Sequence, residues 1–203
     1  MTTIEPFATA RLVAEPLGIQ HFEDLARMHQ DPRVMKTLAP AGHPNGGMLT
    51  ETETRRMIER DVAHWQRYGY GLWALRDITS AQFVGRSGLH VVRLDEHDEV
   101  ELAYALVAEA WGQGLATEIA AAVLGIGFEQ LGLSTIVCFT LTTNLASQRV
   151  MQKAGFTYER DFIHAGLPHV LYRMTADEWQ ETKNRVPMRV PFGHGRPRTK
   201  NIG

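Results

Sequence analysis

The stretch Leu106-Val107-Ala108-Glu109-Ala110-Trp111-Gly112-Gln113-Gly114-Leu115-Ala116-Thr117-Glu118 constrains the fold more than any other part of this chain. A strand runs into a turn with two glycines, and the turn opens a helix. Such a turn leaves several backbone N–H groups unpaired at the positive end of the helix, where an anion is favoured. The two glycines let phosphates approach the backbone closely, so a pyrophosphate suits the turn. A tight strand-to-helix connection with no ligand is the alternative. Two common nucleotide motifs are excluded. No Gly-x-x-x-x-Gly-Lys-Ser/Thr is present, and Thr117 stands where a dinucleotide fingerprint needs its third glycine. The unit also lies past the midpoint of the chain, not at the start of a doubly wound sheet.

The chain around this turn has 203 residues, 44% of them apolar, which is enough for one sizeable core. Cys138 is the only cysteine, so an intrachain disulfide and a cysteine cluster for zinc are both excluded, and a cytoplasmic location is expected. Residues 1–10 lack the pattern of a signal peptide, and the longest nearly apolar run, Ile119 to Phe128, is too short to span a membrane. Charge is divided unevenly. Residues 1–182 hold 15 basic and 23 acidic side chains, a net of −8, whereas residues 183–203 hold six basic ones and no acidic one. We therefore expect an acidic domain over 1–182 and a basic, Pro/Gly-rich, mobile tail over 183–203.

Periodicity gives the order of elements. Ala10–Ala14 reads as a first strand, and residues 18–30 as a helix stopped at Asp31-Pro32. Residues 39–47 are a loop by composition, and Thr50 with Glu53 forms a capping box for a helix to about Tyr68. Tyr70–Arg76, Gln82–Val92 and Glu99–Val107 follow as strands two to four, with a polar link at Arg93–Asp98. A long apolar helix then runs to about Leu131. Ser134–Thr140 is the fifth strand, Asn144 caps a helix that stops at Gly155, and Thr157–Ile163 and Val170–Thr175 complete the set. The pattern is mixed α+β with one βαβ crossover in the centre.

Residues 111–118 resemble the pyrophosphate-binding turn of the GNAT superfamily of acetyl-CoA-dependent N-acetyltransferases, and within it the RimJ/RimL-type branch. Thr9-Ala10-Arg11-Leu12, Phe83-Val84-Gly85-Arg86-Ser87-Gly88-Leu89, and Asn144-x-x-Ser147-x-Arg149-Val150-x-x-Lys153-x-Gly155-Phe156 are similar to family stretches in order and spacing. So is the segment from Tyr172 through Trp179. The resemblance implies the GNAT acyl-CoA N-acyltransferase fold, a mixed and mostly antiparallel sheet of about seven strands splayed between strands four and five. It implies acetyl-CoA as co-substrate, no metal, and a homodimer as the common assembly. Backbone groups of Tyr104, Ala105, Leu106 and Val107 would pair with the pantetheine arm. Trp111, Gly112, Gln113, Gly114, Leu115, Ala116 and Thr117 would hold the pyrophosphate. Asn144 would face the pantetheine, and Ser147 would stand near the sulfur as ligand or proton donor; without the family, they read as a plain helix N-cap and a solvent-facing residue. The sequence departs from the pattern twice. Trp111 replaces the usual Gln or Arg, and Met151 stands where many relatives carry an acidic tyrosine.

The implied reaction is attack of a neutral amine on a thioester. An α-amine, with a pKa of about 8, needs less help than a lysine at about 10.4. The site needs a proton acceptor and N–H donors for the carbonyl oxygen. Glu99 and Glu101, two residues apart on one strand, share a face and are the candidate bases, Glu101 the better placed of the two. The cluster Asp95, Glu96, Asp98, Glu99 and Glu101 would attract a cationic substrate, or else form a solvated strand edge. His90 and Tyr68 are candidates for substrate contact, and Cys138 reads as a buried hydrophobe. The competing reading is a non-catalytic acyl-CoA-binding or regulatory module. The acceptor, a protein N-terminal amine or a small amine, is not written in the sequence. No membrane partner is expected and a nucleic-acid partner is disfavoured; a third reading gives the basic tail a role as an electrostatic anchor to RNA, to an acidic partner or to the body of a second subunit.

Overall fold

The computed structural model describes residues 4–38 and 47–185, and eight strands within them pair into one mixed sheet. The strands are β1 (Phe7–Ala8), β2 (Leu12–Pro16), β3 (Leu72–Asp77), β4 (Phe83–Leu94), β5 (His97–Leu106), β6 (Thr135–Leu141), β7 (Thr157–His164) and β8 (Leu167–Thr175). Their spatial order is β1-β2-β3-β4-β5-β6-β8-β7. The helices are α1 (Phe22–His29), α2 (Pro32–Leu38), α3 (Glu51–Tyr68), α4 (Leu115–Gly125), α5 (Leu145–Ala154) and α6 (Ala176–Arg185). The eighth strand beyond the seven expected is the two-residue β1. Residues of the 39–47 loop up to 46 lie outside the described residues, as does the tail beyond Arg185. Lys183, placed with the tail by its charge, lies in α6 and pairs with Glu129 at 2.7 Å.

Alternation along the strands decides which helix covers which face. On β5, Leu102, Tyr104 and Leu106 join α4 (Ile119, Ala120, Val123) in one cluster, whereas Ala103 and Ala105 face Leu25, Met28, Val34 and Ile58 of α1, α2 and α3 in another. The helix read as α4 is apolar all round because it lies between the sheet and α5. It is shorter than expected. After Gly125 the backbone loosens into a π-turn over Ile126–Gln130. The sequence also hides α2. Asp31-Pro32 ends α1, yet Pro32 is then the first residue of α2, where its fixed φ is favoured, and Asp31 Oδ1 accepts from Arg33 N–H at 2.8 Å as a cap. The link expected at Arg93–Asp98 shrinks to Asp95-Glu96, both at positive φ, which lengthens β4 and β5.

The junction of β5 and β6, the fourth and fifth strands expected from the sequence, sets up the site. β5 pairs with β4 along its whole length, from Leu94↔His97 to Gly85↔Leu106. Its parallel pairing with β6 is registered only at Glu101↔Val137. Beyond that point β6 follows β8 and β5 follows β4, so the strands diverge as the splayed topology requires.

Two glycines of the resemblance are explained by close approach. A Cβ on Gly88 would lie 2.2 Å from the Gly71 carbonyl oxygen, and one on Gly85 would lie 2.2 Å from that of Ala105. Both obstacles are backbone and do not yield. Gly88→Ala is therefore expected to lower the urea midpoint far more than Thr50→Ala. The latter removes a capping box on α3 and costs about 1 kcal/mol.

Candidate active site

A cavity of about 950 Å³ passes through the divergence of β5 and β6. It is lined at one end by the Gly112–Thr117 turn and α5, and at the other by α1, α2 and α3. Its volume is that of a small-molecule site, which spans roughly 300–1,000 Å³.

The turn is built as the glycine pattern requires. Gly112 and Gly114 have φ of +74° and +79°, and the space beside Gly112 is open. Gly114 caps α4, leaving the N–H groups of Leu115, Ala116 and Thr117 without carbonyls of a preceding turn. Arg11 holds this turn in place. Its Nη1 donates to the Gln113 carbonyl at 2.8 Å, and its Nε to Glu118 at 2.7 Å. Burial pushes the Glu118 carboxyl up, but hydrogen bonds from Thr9 and Arg11 outweigh it and keep the group below its ordinary value. Gln113 and Val107 do not line the cavity. Gln113 donates to the Glu109 carbonyl, and the Val107 N–H is spent on Val84. Trp111 has a defined task in place of the usual polar residue: its indole N–H donates to the Leu106 carbonyl at 2.9 Å, on the free edge of β5.

Midway along the cavity, Asn144 both caps α5 and lines the site, accepting from Ser147 N–H at 3.1 Å. The Ser147 hydroxyl lies 2.7 Å from that of Tyr104. Burial pushes the Tyr104 phenol far above its ordinary range, so it stays protonated. The family pattern points to the Tyr104 backbone alone; its side chain enters the site through Ser147, 43 residues away, which no local spacing reveals. Met151, 1% exposed, is core. Cys138 also lines the cavity but is 2% exposed, and burial holds its thiol protonated.

The two candidate bases part company. Glu101 is 7% exposed, lines the cavity, and lies 2.8 Å from His90 Nε2. Glu99 is held outside the cavity by both Nη atoms of Arg173, at 2.9 and 3.1 Å. Asp98 pairs with Arg93 and Asp95 with Arg160, so of the acidic cluster only Glu101 faces the site. His90 is in the cavity wall. Tyr68 is not: it packs on His64 at 4.5 Å, and His64 is itself fixed between the Tyr70 carbonyl and the Val91 N–H. His29, Arg56, Arg60, Arg86, His164 and His169 complete the wall from elements the sequence could not bring together. Among the described residues no group of three His, Cys, Asp or Glu could hold a metal, and no helix is long and apolar enough to cross a membrane.

Residues 11–157 match the family model described as an acetyltransferase (GNAT) domain. The chain belongs to the GNAT acetyltransferase family. It is 32% identical over 191 residues to the FsC-acetyl coenzyme A-N(2)-transacetylase of Aspergillus fumigatus, covering 84% of this chain and 76% of that one. An acetyltransferase structure from Agrobacterium tumefaciens shares the fold with a TM-score of 0.71 at 24% identity, over 86% of this chain and 96% of that one. RimL, a ribosomal L7/L12 α-N-protein acetyltransferase solved with coenzyme A, shares it at 0.68 and 17%, over 86% and 99%. This GNAT member is thus an N-acetyltransferase by family, and the helix N-terminus, the two left-handed glycines and the open strand edge fit a coenzyme A thioester.

The His90–Glu101 pair gives a pH-dependent prediction. Burial alone would lower the His90 pKa, but the Glu101 carboxylate outweighs it and raises the value above 6.5, with Arg86 opposing and Asp61 assisting. A raised folded-state value means that, while Glu101 is ionised, the stabilisation is fully present below the unfolded-state value and is lost as pH rises through the folded-state one. In an NMR titration, His90 of the wild type should therefore lose its proton above pH 6.5. In Glu101→Gln the midpoint should fall, because burial and Arg86 then act without the carboxylate. Equal midpoints would show that the pair does not form.

Proposed function

We propose that this chain transfers an acetyl group from acetyl-CoA to a primary amine by direct attack, with Glu101 as base and Ser147 as acid. Acetyl-CoA supplies the activated thioester. The observation that carries the reading is one cavity that joins the anion-binding turn to a buried carboxylate through the open edge of β5. Glu101 takes the proton of the amine nitrogen as the N–C bond forms. Unpaired N–H groups of the β5 edge meet the charge that grows on the carbonyl oxygen. As the C–S bond breaks, the Ser147 hydroxyl gives the sulfur its proton. The Tyr104 phenol, 2.7 Å from Ser147 and held protonated by burial, stands behind it as the donor that Met151 cannot be.

Protonated His90 occupies the Glu101 oxygen at 2.8 Å, so loss of its proton frees the base. The structural neighbours include RimL-type enzymes, which supports a place near the RimJ/RimL branch, and a cytoplasmic enzyme is the matching setting.

Release of CoA with a panel of amines tests this reading. Gly114→Glu should abolish acetyl-CoA-induced thermal stabilisation, because a carboxylate and a strained left-handed φ would fill the anion seat. Glu101→Gln should retain that stabilisation while losing about 10²-fold or more in kcat. Ser147→Ala should lose less, because water can reach the sulfur. Stabilisation by acetyl-CoA with no turnover on any amine would instead mark a non-catalytic acyl-CoA-binding module.

A further inference from the structure

The acceptor end of the cavity holds polar groups that acetyl transfer does not use. His29 is 0% exposed; its Nδ1 lies 2.9 Å from the Thr54 hydroxyl, and its Nε2, on the other side of the ring, has no hydrogen-bond partner. Burial, reinforced by the charge of Arg86, lowers its pKa to about 3, so the ring is neutral. The tautomer in which Thr54 donates to Nδ1 places the single ring proton on Nε2, where an acceptor in the cavity can meet it. Arg86 also lines the cavity. Its Nε has no partner, Asp61 stands 3.9 Å from its Nη1 with Oδ2 equally unpartnered, and Glu101 acts on it at longer range.

A buried guanidinium Nε–H and a buried imidazole nitrogen without partners are costly to keep, and a ligand that supplies the partners offsets that cost. The charge around them points the same way. Arg56 and Arg60, one helical turn apart on α3, line the same wall, whereas the carboxylates there are committed: Glu53 to the Thr50 cap and Glu101 to His90. Burial raises the Asp61 pKa, and Arg86 and His90 oppose that rise.

We propose that Arg86 and His29 receive an oxyanion carried by the acceptor, so that the substrate is an amine that also bears a carboxylate. The inference rests on acetyl transfer to an amine as proposed above. Arg86 and His90 lie four residues apart on one face of β4, and His90 pairs with Glu101, so the oxyanion and the amine meet different positions along one wall.

Matched acceptors read this out through CoA release: 6-aminohexanoate and 8-aminooctanoate against their carboxamides, with putrescine as a cationic control. The wild type should favour each carboxylate over its amide at least tenfold in kcat/KM, with most of the difference in KM. Arg86→Gln should collapse that ratio to within twofold. Because this variant strands Asp61, Asp61→Asn/Arg86→Gln is measured beside it, and the acetyl-CoA thermal shift reports whether each variant folds. Equal rates on carboxylates and amides in the wild type would overturn the inference and leave acetyl transfer standing. A ratio that survives both variants would overturn the assignment to this pocket. Acetyl-CoA binding with no turnover on any of the five amines would overturn acetyl transfer and this inference with it.

Discussion

The structure turns on the pair Glu101↔Val137, where two parallel strands stop bonding to one another. At that pair alone β5 and β6 are in register. After it each strand keeps a single partner, and the inner edges of β5 and β6 carry backbone groups that the fold leaves open. Unpaired N–H and C=O groups in a protein interior are expensive, so an opening of this kind persists only where something answers it. Here the Trp111 indole answers the Leu106 carbonyl, and the remaining N–H groups of the β5 edge are free for a ligand. The apex is locked from outside. Arg173 on β8 reaches across β6 to Glu99 on β5 with both Nη atoms, which fixes where the divergence begins. Glu99 thus helps to define the site without entering it.

Everything at the two ends of the cavity follows from that opening. At one end α4 must start at the lip of β5, and the reversal is tight enough to need two residues at positive φ. Glycine at both positions removes the Cβ that would stand over the N–H groups of the helix, so the demand of the backbone and the demand of an anion coincide. Arg11, on the approach to β2, fixes the turn through Gln113 and Glu118, so the edge of the sheet far from the opening contributes to its rigidity. Across the opening, Asn144 caps α5 and thereby sets Ser147 against Tyr104.

Local signals were legible in the sequence and long-range ones were not. The Thr50-Glu53 box, the Asn144 cap, the Gly155 stop and the glycine turn all act within a few residues, and each appears where the spacing puts it. Asp31-Pro32 was misleading for a local reason: proline both ends one helix and favours the first turn of the next. Glu99 and Glu101 share a face by parity, but parity does not say at which residue β5 leaves β6. The Tyr104–Ser147 contact joins residues 43 apart, and His29 and Arg86 come to line one cavity only because α1 packs on β4. No spacing within one element encodes such contacts.

The acidic domain and its cation-lined site are compatible because charge acts at different ranges. A net of −8 over residues 1–182 suggests, by itself, a cationic acceptor. That sum counts charges spread over a surface, and beyond a Debye length of about 8 Å each is largely screened at physiological ionic strength. Inside the cavity screening fails, and the few groups in the wall decide. Most carboxylates of the Asp95–Glu101 segment are already matched by arginines outside the cavity, whereas Arg56, Arg60 and Arg86 line it. The field that steers an approaching molecule and the groups that hold it need not agree in sign. An amine that also bears a carboxylate meets both conditions: its ammonium is drawn to the acidic body, and its oxyanion is then held by the wall.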